Sequence, residues 1–248
     1  MGLFDFLRRE QKEIIYDDNP PYTKERISQL MLPFLSSVVL VQSESHDSAC
    51  LTLASCALVR TIIAKNIAEH HGLHHSRDSQ LIGDLTAKRI STWCVCYSAH
   101  PHKEKIMQYC RDNGILFLES SPHSVRYVSK GNFLASALNR VVPFVVDVVL
   151  LLDSGVSITT GEGEKLLQNA MLEFFDQDVG LVLGRNRSGA LFRSRCLQKP
   201  LNEDRRRYRH PAFSVGEAED FAAFLHILED GIEAYGYKVR YIDYLKFL

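Results

Sequence analysis

Apolar and polar residues follow one another along this chain in a pattern that predicts short buried strands separated by helices. The apolar runs are short and nearly continuous, which is typical of strands that are covered on both faces. Strands are predicted at residues 37–42, 91–98, 115–120, 145–153, 179–184 and 238–245, and helices at 49–72, 102–114, 130–141, after 159 and at 219–236. This alternation favours an α/β three-layer sandwich with a mostly parallel central sheet.

Local signals support the helix boundaries. Asn113 and Gly114 end the second helix, where a residue that tolerates a left-handed backbone is favoured. Thr159 and Glu162 have the spacing of a capping box, and the apolar pairs that follow between residues 166 and 175 recur every four residues. These signals predict a further amphipathic helix between the fourth and fifth strands.

Length and composition fit an ordinary globular protein. The 248 residues are interpreted as an N-terminal helical extension over 1–35 and a single α/β domain over 36–248. The formal net charge of −1 gives no electrostatic reason to bind nucleic acid. Six cysteines without a C-x-x-C pair are interpreted as reduced thiols, which predicts a cytoplasmic protein.

Membrane contact and oligomeric state are not fixed by the sequence. The longest apolar run, 141–152, is shorter than the ~20 residues that a spanning helix needs. The first ten residues, MGLFDFLRRE, read either as a first helix packed on the domain or as a short amphipathic surface helix. The second interpretation would bring the protein to the cytoplasmic face of a membrane.

One acid stands at a position where α/β proteins bind ligands. Asp153 ends the apolar run 145–153. In open parallel sheets, ligands bind beyond the carboxyl ends of the strands, at the point where the strand order reverses. Asp153 is therefore a candidate site residue, although an acid in such a place can also serve only as a helix cap or as a hydrogen-bonding group of a loop.

Three motifs, in a fixed order, give the sequence a resemblance to a known family. Lys130, Gly131 and Asn132 open a helix, Asp153 ends the next strand, and Glu219-Asp220 follows an alanine before a later helix. This order resembles the family-2 processive glycosyltransferases, which have a nucleotide-diphospho-sugar transferase fold and include the cellulose, chitin and hyaluronan synthases. The resemblance extends from about residue 110 to residue 245, and from residue 37 to 110 only positions correspond.

The resemblance implies a reaction and a role for each motif. The protein would transfer a sugar from a nucleotide-diphosphate donor, a UDP-sugar, to a carbohydrate or other hydroxyl acceptor, with inversion. Asp153 would either hold a divalent cation, Mn²⁺ or Mg²⁺, that offsets charge on the diphosphate leaving group, or face the donor sugar. Lys130 and Asn132 would contact the donor phosphates at a helix N-terminus. Asp220, assisted by Glu219, would be the general base that accepts the proton of the acceptor hydroxyl.

The sequence also departs from the family pattern. Gly155 stands where the second acid of an Asp-x-Asp pair is usual, although chitin synthases resemble this sequence there. Ser98 follows the second strand in place of the aspartate that faces the nucleotide base, and Glu44 or Asp47 would substitute for the acid after the first strand. The Gln-x-x-Arg-Trp motif of the polymerising enzymes is absent.

Three functions are therefore compatible with the sequence. The first is an active, metal-assisted glycosyltransferase. The second is a degenerate member of the same fold that acts as a binding or scaffolding module. The third is an unrelated α/β binding domain in which the order of the motifs is accidental.

Overall fold

The computed structural model describes residues 35–70, 90–121, 130–144, 147–159, 161, 170, 173–174, 176–184, 187–197 and 218–242. The predicted N-terminal extension, almost all of the helix predicted after Thr159 and the end of the last predicted strand lie outside these residues. No helix in the described ranges is both long enough and apolar enough to cross a membrane.

Seven strands form one sheet, and helices lie between most of them. The strands are β1 (Leu35–Val41), β2 (Ile90–Tyr97), β3 (Leu116–Ser120), β4 (Val148–Asp153), β5 (Val179–Gly184), β6 (Gly189–Arg193) and β7 (Lys238–Ile242). The helices are α1 (His46–His70), α2 (Lys103–Asp112), α3 (Lys130–Val141) and α4 (Phe221–Ala234). The strand order across the sheet is β3-β2-β1-β4-β6-β5-β7.

Six of these seven strands run in the same direction. The seventh, β6, runs in the opposite direction. Strand β1 pairs in parallel with β2 and β4, and β5 pairs in parallel with β7. Strand β6 pairs in antiparallel fashion with both β4 and β5. The prediction of a mostly parallel sheet is confirmed, but β6 is missing from the predicted elements.

Two apolar cores, one on each face of the sheet, explain the continuous apolar strands. Successive side chains of a strand point to opposite faces. Val39 faces the core that contains Leu53 of α1, whereas Val38 faces the core that contains Phe133 of α3 and Phe224 of α4. Each layer of helices therefore buries one face of the central strands. The predicted three-layer sandwich is confirmed.

Gly180 of β5 is a point of close packing. A Cβ atom at this position would lie 2.7 Å from Cβ of Tyr237 and 2.9 Å from Cγ2 of Ile232. We expect Gly180→Ala to lower the free energy of unfolding by about 1–3 kcal/mol, because the added methyl group overpacks the core. Urea unfolding would measure the change.

Gly161 is the matched control for this substitution. A Cβ atom at Gly161 would meet no atom within 4 Å. Gly161→Ala is therefore expected to change the free energy of unfolding by no more than about 0.5 kcal/mol. Equal effects of the two alanines would contradict the packing explanation.

Candidate active site at the carboxyl edge of the sheet

The chain changes direction across the sheet between β1 and β4. From β1 it proceeds to β2 and β3, with α1 and α2 on one face, and then returns to β4 through α3 on the other face. Strands β1 and β4 are neighbours, and Leu40 of β1 lies opposite Asp153 of β4. Their carboxyl ends therefore form the switch point at which α/β sheets bind ligands.

Three of the predicted site residues meet at this switch point. Lys130, the first residue of α3, donates hydrogen bonds from Nζ to Oε1 of Glu44 and, at 3.2 Å, to Oδ1 of Asp153. The side chains of Lys130, Glu44 and Asp153 are 16%, 17% and 29% exposed. We call Glu44, Lys130 and Asp153 the lysine triad. It places one ammonium between two carboxylates, one from the loop after β1 and one from the end of β4.

Backbone amides orient both carboxylates of the triad. Oε2 of Glu44 accepts hydrogen bonds from the amides of Gln42, at 2.6 Å, and Ser43, at 2.9 Å. Oδ1 of Asp153 accepts a hydrogen bond from the amide of Ser154 at 3.0 Å. Donors that are fixed in the fold hold these groups in one arrangement, so the triad is preorganised rather than assembled from mobile side chains.

The two carboxylates of the triad have opposite pKa shifts. For Glu44, burial raises the pKa, but the charge and hydrogen bond of Lys130 and the amide hydrogen bonds outweigh burial and lower the pKa. For Asp153, burial outweighs the charge and hydrogen bond of Lys130 and, together with repulsion from Glu44, raises the pKa. For Lys130, burial lowers the pKa, but Asp153 and Glu44 outweigh burial and raise it. The ammonium of Lys130 therefore stabilises the ionised form of Glu44 more than that of Asp153.

These shifts predict opposite effects of neutralising the two acids. A lowered pKa in the folded state stabilises the fold above the pKa of the unfolded chain, and this contribution is lost as the pH falls through the folded-state value. An acid whose pKa is raised in the folded state has the opposite effect: its ionised form lowers the stability of the fold. At pH 7 we therefore expect Glu44→Gln to lower the free energy of unfolding by about 1 kcal/mol, and Asp153→Asn to raise it. Urea unfolding at pH 7 would measure both.

The pH dependence provides the internal control for that pair. Below pH 4.5, the ordinary value for Glu44, the wild-type protein should lose stability more steeply than Glu44→Gln. A destabilised Asp153→Asn variant at pH 7 would contradict the assignment of Glu44 as the dominant partner of Lys130.

Ser98 and Asn132 lie at the same edge of the sheet. Ser98 follows β2, and its Oγ hydrogen-bonds Oγ of Ser121, which follows β3. Asn132 occupies the first turn of α3 and is half-buried. Their roles toward a donor stay predictions, since the geometry places them near the switch point without assigning a ligand to them.

His100 contacts the backbone of Glu44, one member of the triad. Its ring is 4% exposed, Nε2 donates to the carbonyl of Glu44 at 2.8 Å, and Nδ1 accepts from the amide of His102 at 3.0 Å. Both ring nitrogens therefore have partners, and the side chain fixes the backbone at Glu44 instead of facing a ligand.

Glu219 and Asp220 reach the neighbourhood of the triad through the backbone. The amide of Gly131 donates to the carbonyl of Ala218 at 3.0 Å, so the segment before α4 lies against the start of α3. Asp220 is the N-cap of α4, and its Oδ1 accepts from the amide of Ala223 at 2.7 Å. Both acids are exposed, and within the described residues neither forms a hydrogen bond or ion pair with the triad.

The described residues do not fit the divalent cation that the resemblance implies. No group of three His, Cys, Asp or Glu side chains among them is arranged to hold a metal ion. The ammonium of Lys130 lies between the two nearest carboxylates. Gly155 has φ +98°, where L side chains are strained, and a Cβ there would lie 2.7 Å from Oγ of Ser48. The present backbone therefore disfavours an acid at position 155.

The hairpin from β5 to β6 brings in residues that the sequence analysis missed. The amide of Asp153 donates to the carbonyl of Ser188 at 3.3 Å, which places this hairpin next to the triad. Arg187 has φ 51°, and its Nη2 donates to Oε2 of Glu229 at 2.7 Å. A polar turn between two apolar runs predicts a hairpin. The sequence RNRSG at 185–189 is such a turn, so this signal was present in the sequence.

Comparison with known proteins gives no matching protein family and no matching curated protein. Among solved structures, the chain is similar to a mannosyltransferase from Pyrobaculum calidifontis in complex with GDP-Man and Mn²⁺, with 14% identity and a TM-score of 0.48 over 98% of this chain and 61% of that one. It is also similar to glucosyl-3-phosphoglycerate synthase from Mycobacterium tuberculosis in complex with Mn²⁺, UDP and phosphoglyceric acid, with 12% identity and a TM-score of 0.48 over 92% of this chain and 75% of that one.

Both of these structures are glycosyltransferases of the nucleotide-diphospho-sugar class, the class that the motifs resemble. The chain spans about three-fifths of the length of the mannosyltransferase.

Proposed function

We propose that this protein binds a nucleotide-diphospho-sugar, a UDP-sugar in the first instance, at the switch point between β1 and β4 and transfers the sugar to an acceptor hydroxyl. The observation that carries the proposal is the position of Lys130. Its ammonium lies at the carboxyl edge of the sheet and at the first turn of a helix. A lysine and a helix N-terminus together attract phosphate groups.

Each site residue has a role in this proposal. Lys130 and Asn132, with the first turn of α3, contact the diphosphate, and Ser98 lies on the side of the nucleotide base. Asp153 accepts hydrogen bonds from hydroxyl groups of the donor sugar, and Glu44 holds Lys130 in place. Asp220, exposed near the start of α3, removes the proton of the acceptor hydroxyl as its oxygen bonds to the anomeric carbon. The bond from that carbon to the diphosphate breaks in the same step, and the nucleoside diphosphate leaves. A single displacement of this kind inverts the anomeric carbon.

A degenerate binding module is the second candidate, and two contacts favour it. Both nearby carboxylates already neutralise the charge of Lys130. Asp220 already caps α4 through the amide of Ala223. A protein that had lost its donor could keep both contacts for stability alone.

Thermal stability with nucleotides distinguishes the two candidates. The protein would be melted with UDP, GDP, ADP and CDP, each with EDTA and with Mn²⁺. A nucleotide at a hundredfold its Kd should add about 2.7 kcal/mol to the free energy of unfolding. Stabilisation by one nucleotide diphosphate supports donor binding. No stabilisation by any of them, in either medium, would contradict the transferase and favour the binding module or an unrelated α/β domain.

A further inference from the structure

The space between the carboxylates of Glu44 and Asp153 is filled by a side chain of the protein. Lys130 Nζ contacts Glu44 and Asp153 at the same time, and the three side chains are less than one-third exposed. An ammonium on a side chain is bound to its partners at high effective concentration, because the fold has already brought it there. A metal ion from solution would have to displace it.

Displacement is opposed by the way the carboxylates are held. The amides of Gln42 and Ser43 fix Glu44, and the amide of Ser154 fixes Asp153. Both oxygens of Glu44 are engaged, Oε1 by Lys130 and Oε2 by the two amides, so Glu44 cannot turn toward a metal without losing one of these contacts. The displaced ammonium would also lose two charged partners in a site with little exposure to water.

A second observation concerns the position two residues after Asp153. Gly155 has φ +98° and its amide donates to Oγ1 of Thr52 at 2.8 Å, which ties this turn to α1. An acid at position 155 would require a strained backbone. The turn that could bring a second metal ligand beside Asp153 is thus built for a glycine.

We propose that the ammonium of Lys130 takes the place of the divalent cation at this crevice, so that the site binds the diphosphate of its donor without a metal. This inference rests on the proposed function for the identity of the diphosphate. The position of Lys130 between the two acids is independent of that function.

The charges of the triad give the inference a specific consequence. With both acids ionised, the triad has one net negative charge, which opposes a diphosphate. Removing the charge of Glu44 leaves the ammonium freer to bind phosphate. We therefore expect Glu44→Gln to bind UDP about tenfold more tightly than wild type in EDTA, and Lys130→Met to lose UDP binding.

Binding of Mn²⁺ tests the inference directly. Electron paramagnetic resonance would count the Mn²⁺ ions bound, without nucleotide, by wild type and by Lys130→Met, Lys130→Arg and the double variant Lys130→Met/Glu44→Gln. We expect one Mn²⁺ site in Lys130→Met, and loss of that site in the double variant. Wild type and Lys130→Arg should bind no Mn²⁺ at micromolar concentrations. One Mn²⁺ bound by wild type, or none gained by Lys130→Met, would overturn the inference.

Lys103→Met is the matched control. Lys103 also pairs with one acid, Glu119, at 3.2 Å, whereas the ion-pair partner of Asp153 is Lys130. The Lys103→Met variant should fold and bind Mn²⁺ as wild type does. Thermal melting of every variant checks folding. If Lys130→Met does not fold, the Mn²⁺ count of wild type still tests the inference, because one bound ion would overturn it.

Calorimetric titration of UDP separates this inference from the proposed function. Equal affinity in EDTA and in Mn²⁺ supports both. Binding in Mn²⁺ alone overturns the inference and leaves the proposed function intact. Binding in neither medium overturns the proposed function, and the Mn²⁺ count still decides whether Lys130 holds the place of a cation.

Discussion

Asp220→Asn is expected to slow sugar transfer by about 10²–10⁴-fold and to leave the fold intact. The rate falls because an amide cannot accept the proton of the acceptor hydroxyl, and a positioned base contributes about that factor. The fold persists because asparagine caps a helix about as well as aspartate does. The rate would be measured with the sugar donor whose nucleotide gives the largest thermal stabilisation.

Two further variants separate catalysis from capping at this position. Asp220→Ala removes the cap that Ala223 uses and should lower the free energy of unfolding by about 1 kcal/mol in addition to the loss of rate. Glu219→Gln should change the rate less than Asp220→Asn, since Glu219 only assists. Unchanged transfer by Asp220→Asn would exclude Asp220 as the base and leave it a structural cap.

Arg193→Met is expected to lower the free energy of unfolding by about 3 kcal/mol. Arg193 is 6% exposed at the end of β6. Its Nε donates to the carbonyl of Val179 at 2.9 Å, and its Nη2 donates to the carbonyls of Phe174 and, at 2.9 Å, Asp176. Methionine fills similar volume but leaves these carbonyls without their donor, and each charge-assisted hydrogen bond contributes about 1.5–3 kcal/mol.

Arg195→Met is the control for that experiment. Arg195 is exposed, and its Nη2 donates to the carbonyl of Gln177 at 2.6 Å. An exposed contact of this kind is screened by water and contributes less than about 1 kcal/mol. Urea unfolding of both variants would compare them. Equal losses would contradict the assignment of Arg193 as the group that ties the 174–179 segment to the sheet.

Local patterns in the sequence predicted most of the described fold. The bounds of α3 and of β5 agree with the predicted 130–141 and 179–184. Strand β4 begins at Val148, three residues later than predicted, because Asp147 has φ 59° and cannot continue a strand. Strand β6 was not predicted, since five residues that end in an arginine have little strand signal. These five residues form a strand because they pair with β4 on one side and with β5 on the other.

The sequence predicted which residues belong to the site better than it predicted the contacts between them. The end of β4 identified Asp153 from the rule on ligand crevices, and the resemblance added Lys130. Glu44 entered only as a substitute for a missing acid. Its ion pair with Lys130 joins residues 86 positions apart, which no local pattern contains. Asp220 was predicted as a general base, and the structure shows that it also caps α4.

The reversed direction of β6 places a short connection beside the switch point. The hairpin between Gly184 and Gly189 starts and ends in buried strands, yet its turn reaches the backbone of Asp153. Residues inserted there would lengthen the rim of the crevice while the strand register beneath stays fixed. The length of this connection can therefore change while both apolar cores keep their packing.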